Sequence, residues 1–148
     1  GLDTFRPVQD EDPTNHQIHT EYFHISHDAA KAINNAKQEF RRVIAVGTTS
    51  VRVLEYAAQF AADGGMSQIS QSSGQADLFI LPGYRFRIVD SLITNFHLPR
   101  STLLMLVSAF AEGGPSTNSG RDMVLAAYAD AIQRQYRFYS FGDGMLIL

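Results

Sequence analysis

The stretch RVIAVGTTSVRVLEYAAQFAA, residues 42–62, decides the class of fold. Residues 42–46 are a short run of β-branched and apolar side chains, the signature of a buried strand. Gly47 breaks it. Thr48, Thr49 and Ser50 are residues that cap helices, and Val51, Leu54, Ala58 and Ala61 then fall on one helical face to about Ala62. A strand that runs through a glycine into a helix is the unit from which α/β sheets are built.

The same alternation continues outward. Residues 20–25 (TEYFHI) predict a strand, Ser26 an N-cap, and Ala30, Ile33, Ala36 and Phe40 the inner face of a helix over residues 27–40. Residues 63–75 are polar and glycine-rich and predict a mobile loop. Residues 77–81 and 84–89 predict two strands joined at the turn dipeptide Pro82-Gly83. Pro99 suits the first position of a helix carrying residues 103–110. After a second loop at residues 112–120, residues 121–135 predict an amphipathic helix with Met123, Ala127, Ala131 and Ile132 inward. The aromatic segment from Tyr136, a Gly-Asp-Gly turn and an apolar end predict a last strand. The expectation is an α/β domain with an incomplete, mostly parallel sheet and flanking helices, partial and barrel-like, with no internal repeat and no second domain in residues 1–148.

Composition narrows the function classes. The chain has 148 residues, 45% hydrophobic and 18% charged, which is globular and suits one domain. Cysteine is absent, so disulfides and thiolate-zinc sites are excluded and a cytoplasmic setting fits. The longest apolar stretch, residues 103–111, is far short of the roughly 20 residues of a membrane span, and residues 1–8 (GLDTFRPV) lack the pattern of a signal peptide. A net charge of −3 argues against a general nucleic-acid coat. His16, His19, His24 and His27 crowd together, but their spacing matches no zinc signature, so no metal site is expected.

Three stretches are too unusual to be generic: VIAVGTTSVRVLE at 43–55, LFILPGYRFRIVDSLITNFHLPRSTLLM at 78–105 and YRFYSFGDGMLI at 136–147. With GLDTFRPV at 1–8 and HQIHTEY at 16–22 they resemble, in the same order, the S-adenosylmethionine:tRNA ribosyltransferase-isomerase family of queuosine biosynthesis. The resemblance covers nearly the whole chain, and TNFHLPRSTLLMLVSAF at 94–110 is its most specific piece. It implies the C-terminal part of that family's α/β domain, without the family's β-barrel domain and its N-terminal half. It implies transfer and isomerisation of the ribosyl part of S-adenosylmethionine onto 7-aminomethyl-7-deazaguanine at the tRNA wobble position, giving epoxyqueuosine, adenine and methionine. S-adenosylmethionine is then a substrate, and no tightly bound cofactor is implied. The expected partners are that tRNA, S-adenosylmethionine and the rest of the same protein, with no membrane. The sequence departs from the family pattern at Asp3, in place of a glycine, and at Gly144, where the family has Gly-Asp-Ala-Met. A diverged or truncated relative that binds RNA or an adenosyl ligand without turnover is the alternative reading.

Such chemistry needs a base beside the sulfonium, an acid for the departing adenine, and polar groups to hold ribose and deazaguanine. His97, where a strand gives way to a helix, is the leading acid/base candidate, because α/β folds bind ligands beyond the carboxyl ends of strands. Asp90 and Asp143 are the catalytic carboxylate candidates, although aspartate beside glycine also serves turns. Thr48, Thr49 and Ser50 offer either an anion site of backbone N–H groups or plain helix capping, with Arg52 close by for a phosphate or carboxylate. The glycine loop is not a phosphate-binding Walker loop, because GxxxxGK is missing. The resemblance adds Thr94, Asn95, Arg100 and Ser101 as substrate-binding candidates, and His19 and Glu21, which would share one face of a strand.

Overall fold

In the computed structural model, which describes residues 20–59, 68–113 and 119–148, the elements run β1 (Glu21–Ile25), α1 (His27–Gln38), β2 (Ile44–Val46), α2 (Thr48–Ala58), β3 (Ser72–Ala76), β4 (Ser91–Asn95), α3 (Thr102–Glu112), α4 (Ser119–Gln133) and β5 (Gly144–Ile147). The α/β class holds. The sheets are two and small, and they do not close into a barrel: β1 pairs with β3, and β2, β4 and β5 pair in the order β2-β4-β5. Only β2 and β4 are parallel; β1–β3 and β4–β5 are antiparallel, so the pairing is mixed rather than mostly parallel. No helix among the described residues is long and apolar enough to cross a membrane.

Helix starts follow their caps. Ser26 accepts from the Ala29 N–H at 3.2 Å and opens α1. Ser101, not Pro99, sets the start of α3, its hydroxyl accepting from the Leu104 N–H at 3.1 Å. Helix α2 begins at Thr48 behind Gly47, which sits at φ +90°, a conformation that costs glycine little, and no side chain caps it. Ser50 turns its hydroxyl back to the Val46 carbonyl instead. Phe40 is not on the inner face of α1; the helix ends at Gln38, and Phe40 stands 90% exposed in a left-handed conformation.

Two expected strands are absent. Residues 77–81 and 84–89 are irregular although their sequences are rich in apolar and aromatic residues. At residues 87–89 the reason is Glu55, fully buried on α2, whose carboxylate accepts the N–H groups of Arg87, Ile88 and Val89 at 2.8, 3.0 and 2.9 Å and the Tyr84 hydroxyl at 3.3 Å. Backbone donors consumed by a side chain cannot also bond a neighbouring strand. Conversely, β3 lies in the stretch expected to be loop. SSGQA has little strand preference of its own and is held by pairing with β1, Phe23 facing Gly74.

Two apolar clusters hold these pieces. One gathers Ala45, Val51, Leu92, Leu106, Val107, Phe110, Val124 and Tyr128 between the three-stranded sheet, α2 and the α3–α4 pair. The other gathers Phe23, Ile25, Ala30, Ala58, Ala76 and Ile88 around β1 and β3. The inner stripe of α4 is Gly120, Val124, Tyr128 and Ala131, while Met123 and Ile132 are exposed. Gly120 is required by closeness: a Cβ there would meet the Ser108 carbonyl oxygen of α3.

Candidate active site

Strand β4 runs parallel to β2 and ends at Asn95, and His97 follows two residues later. A cavity of about 250 Å³ opens at this end. Val46 at the end of β2, then Gly47, Thr48 and Thr49 entering α2, form one side. Ile93, Thr94 and Asn95 of β4, with His97, form the other, and Leu103 of α3 closes the floor. This is the crevice beyond the carboxyl ends of parallel strands where α/β proteins bind ligands. The first turn of α2 brings the positive end of its dipole to the same place.

His97 is fixed from three directions. Its ring Nε2 lies 3.0 Å from the Thr94 hydroxyl, and its backbone N–H donates to the Tyr128 hydroxyl oxygen of α4 at 2.9 Å. The preceding Phe96 stacks on Phe138 with ring centres 4.9 Å apart, meets Tyr128 edge-on, and accepts the Tyr139 N–H at its carbonyl. The aromatic run from Tyr136 thus braces the turn that carries His97. Burial alone depresses the imidazole, to a pKa of about 4, so the ring is neutral near pH 7. The same loss of solvent raises the Tyr128 phenol.

Asp143 sits at the same end of the sheet, since the next residue, Gly144, is paired with Asn95. Its carboxylate is held by Arg137, which donates from its backbone N–H at 2.6 Å, Nε at 3.0 Å and Nη2 at 3.2 Å. Those hydrogen bonds lower the Asp143 pKa. A methyl group on Gly144 would lie 3.0 Å from the Thr94 carbonyl oxygen, so the glycine lets β5 approach β4 closely beside the site.

The remaining expected residues divide. Asp90 precedes β4 and His97 follows it, so they stand at opposite ends of the strand, on the order of 20 Å apart. Asp90 accepts from Lys37 Nζ at 2.7 Å and from the Val43 N–H at 2.8 Å, tying α1 and β2 to the start of β4. Arg52 is not near a solvent-borne phosphate: it is 2% exposed, donates to the Leu78 carbonyl at 3.0 Å and pairs with Glu21 at 2.6 Å. Glu21 and Arg52 are therefore brought together, but between β1, α2 and β3 rather than in the cavity. Desolvation lowers the Arg52 pKa while Glu21 opposes the change. Ser101 is spent on capping α3 and on the Leu98 carbonyl, and Ser50 on Val46. Arg100 is exposed at φ +58°, between the His97 turn and α3. His19 lies outside the described residues. Among those residues no three histidine, aspartate or glutamate side chains gather as metal ligands.

Sequence reasoning missed Tyr128, Arg137 and Glu55. The signal for Glu55 was present: a charged residue four positions after Val51, on the apolar face of α2, needs a buried partner. Nothing local marked Tyr128 as the acceptor for a turn 31 residues away.

Fold and cavity together define an α/β domain with an open crevice at the ends of its parallel strands. The profile of the family described as "Queuosine biosynthesis protein" matches residues 1–147, and the chain belongs to that family. Over all 148 residues it is 53% identical to the S-adenosylmethionine:tRNA ribosyltransferase-isomerase of Symbiobacterium thermophilum and 56% identical to that of Moorella thermoacetica. In each case the match takes in 100% of this chain and 40% of the relative. The crystal structure of S-adenosylmethionine tRNA ribosyltransferase from Thermotoga maritima superposes with a TM-score of 0.73 at 43% identity, covering 86% of this chain and 40% of that one. The chain thus spans 40% of the length of these relatives.

Proposed function

We propose that this chain supplies one wall of the active site of a cytoplasmic S-adenosylmethionine:tRNA ribosyltransferase-isomerase, as the C-terminal part of its α/β domain. The observation that carries the reading is the cavity where His97, Thr94 and Asn95 face the first turn of α2. In this reading the crevice receives part of S-adenosylmethionine or of the 7-aminomethyl-7-deazaguanine of the tRNA. His97, rigid and uncharged, gives or takes a hydrogen bond at the reacting ribosyl or adenine group, and Asn95 and the Thr48–Thr49 backbone orient polar oxygens. Asp143, clamped by Arg137, keeps β5 and the aromatic brace in register beside them. Arg100 is exposed and suited to a tRNA phosphate.

A 250 Å³ crevice is too small to hold an S-adenosylmethionine and a nucleotide at once, so further walls come from the rest of the protein. The test is adenine release from S-adenosylmethionine by the whole protein in the presence of tRNA carrying 7-aminomethyl-7-deazaguanine, with Asn95→Ala and Thr49→Trp variants. The reading expects slower release with Asn95→Ala and blocked substrate entry with Thr49→Trp. Wild-type kinetics in both would place the reaction elsewhere.

A further inference from the structure

The Thr94 hydroxyl lies 3.0 Å from Nε2 of His97, and both side chains are buried, 5% and 6% exposed. His97 Nδ1 makes no hydrogen bond to a described residue. Among the described residues the one buried side-chain polar atom without a partner is Ser91 Oγ. Nδ1 is therefore not sealed within protein, and His97 lines the cavity.

A neutral imidazole carries its proton on one nitrogen and a lone pair on the other, and the partner of one nitrogen decides what the other offers. The Thr94 hydroxyl has one described partner, His97 Nε2. If it accepted a hydrogen bond from Nε2–H, its own proton would find no acceptor among the described residues, which costs free energy. If it donates to Nε2, that demand is met and the ring proton must sit on Nδ1. We propose that Thr94 is a positioning residue that holds His97 as the Nδ1–H tautomer, so that the cavity presents its ligand with a neutral N–H donor rather than a base.

This rests on the reading of the cavity as the reaction site, and it specifies the ligand atom His97 meets. That atom is a hydrogen-bond acceptor that gains electron density during reaction, such as a ring nitrogen of a departing purine or a ribosyl oxygen. Burial keeps the ring uncharged near neutrality, with a pKa of about 4 and no charged neighbour contributing to the shift, in keeping with a donor role. The proton next to the sulfonium must then be taken by a group other than His97.

Two-bond 1H–15N correlation spectra of the histidine-labelled whole protein at pH 7 test it, with His97→Gln to assign the signal. The expected result is a pyrrole-type Nδ1 and a pyridine-type Nε2 for His97. In Thr94→Val the Nε2–H form should enter, as an averaged or reversed pattern, and Thr94→Ser should restore the wild-type pattern. An Nε2–H ring in the wild-type protein overturns the proposal, and so does a Thr94→Val spectrum indistinguishable from wild type. If Thr94→Val does not fold, the wild-type and Thr94→Ser tautomers still decide. The readout needs no substrate, so a failed transferase reading and a failed tautomer assignment are distinguishable.

Discussion

At the scale of single residues, His97 links stability to pH with a definite sign. Its folded-state pKa of about 4 lies below the ordinary 6.5, so on acidification the unfolded chain takes up the proton first. The stability tied to the neutral ring is complete above pH 6.5 and is lost as pH falls from there through 4, a change on the order of 3 kcal/mol. His97→Gln removes this titration. The stability difference between wild type and variant, from urea unfolding, should therefore shift against the wild type between pH 6.5 and pH 4; a constant difference would contradict the burial argument. Arg100 makes a separate prediction. In the whole protein Arg100→Gln should weaken tRNA binding and flatten its log–log salt dependence by about one unit. An unchanged slope would show that Arg100 does not meet a phosphate. His97 was legible in the sequence because a strand end, a proline and a helix start frame it within eight residues. Its partner Tyr128 was not, because the contact joins two distant segments.

Between elements, buried polar side chains do the joining. Glu55 anchors residues 87–89 to α2, and Arg52 with Glu21 joins α2 to the β1–β3 pair. Glu55→Ala strands three backbone donors, of which those of Ile88 and Val89 are buried, and should cost at least about 3 kcal/mol in urea unfolding. A loss below about 1 kcal/mol would mean that residues 84–89 hold themselves without it. Arg52→Leu should cost about 3–5 kcal/mol by leaving Glu21 unpaired, and the Glu21→Leu/Arg52→Leu double variant should be less damaged than the single one. Equal losses would contradict a coupled pair. These joints explain the uneven legibility of the fold. Helices α1, α2 and α4 and strands β1, β2 and β5 were readable as elements, α1 with its Ser26 cap, but the inner stripe of α4 was not, since Met123, Ala127 and Ile132 of the expected stripe are exposed. Residues 84–89 look like a strand because side-chain alternation is local, whereas the N–H groups of residues 87–89 go to a glutamate some 30 positions earlier. Strand β3 was hidden for the converse reason, since its pairing with β1 supplies what its composition lacks.

For the whole molecule, the three-stranded sheet matters most. Its inner face carries Ala45, Leu92 and Thr94 into the core, while Ile44, Val46, Ile93 and Leu146 lie exposed on the outer one, with Val46, Ile93 and Leu146 side by side in register. Parallel strands normally have both faces covered, and no described residue covers this one. The chain alone should therefore self-associate, and Leu146→Lys should reduce that association in sedimentation velocity; a monodisperse wild-type chain at high concentration would refute this. The chain alone should also fail to make epoxyqueuosine, because the crevice lacks the walls that would hold both substrates and exclude water. The most direct test of the central claim, that the crevice at the ends of β2 and β4 is where the chemistry happens, is the single-turnover rate of adenine release by the whole protein with and without His97→Ala. The account predicts a fall of about 10²–10⁴-fold with tRNA affinity nearly unchanged. A near wild-type rate in a folded His97→Ala protein would contradict it.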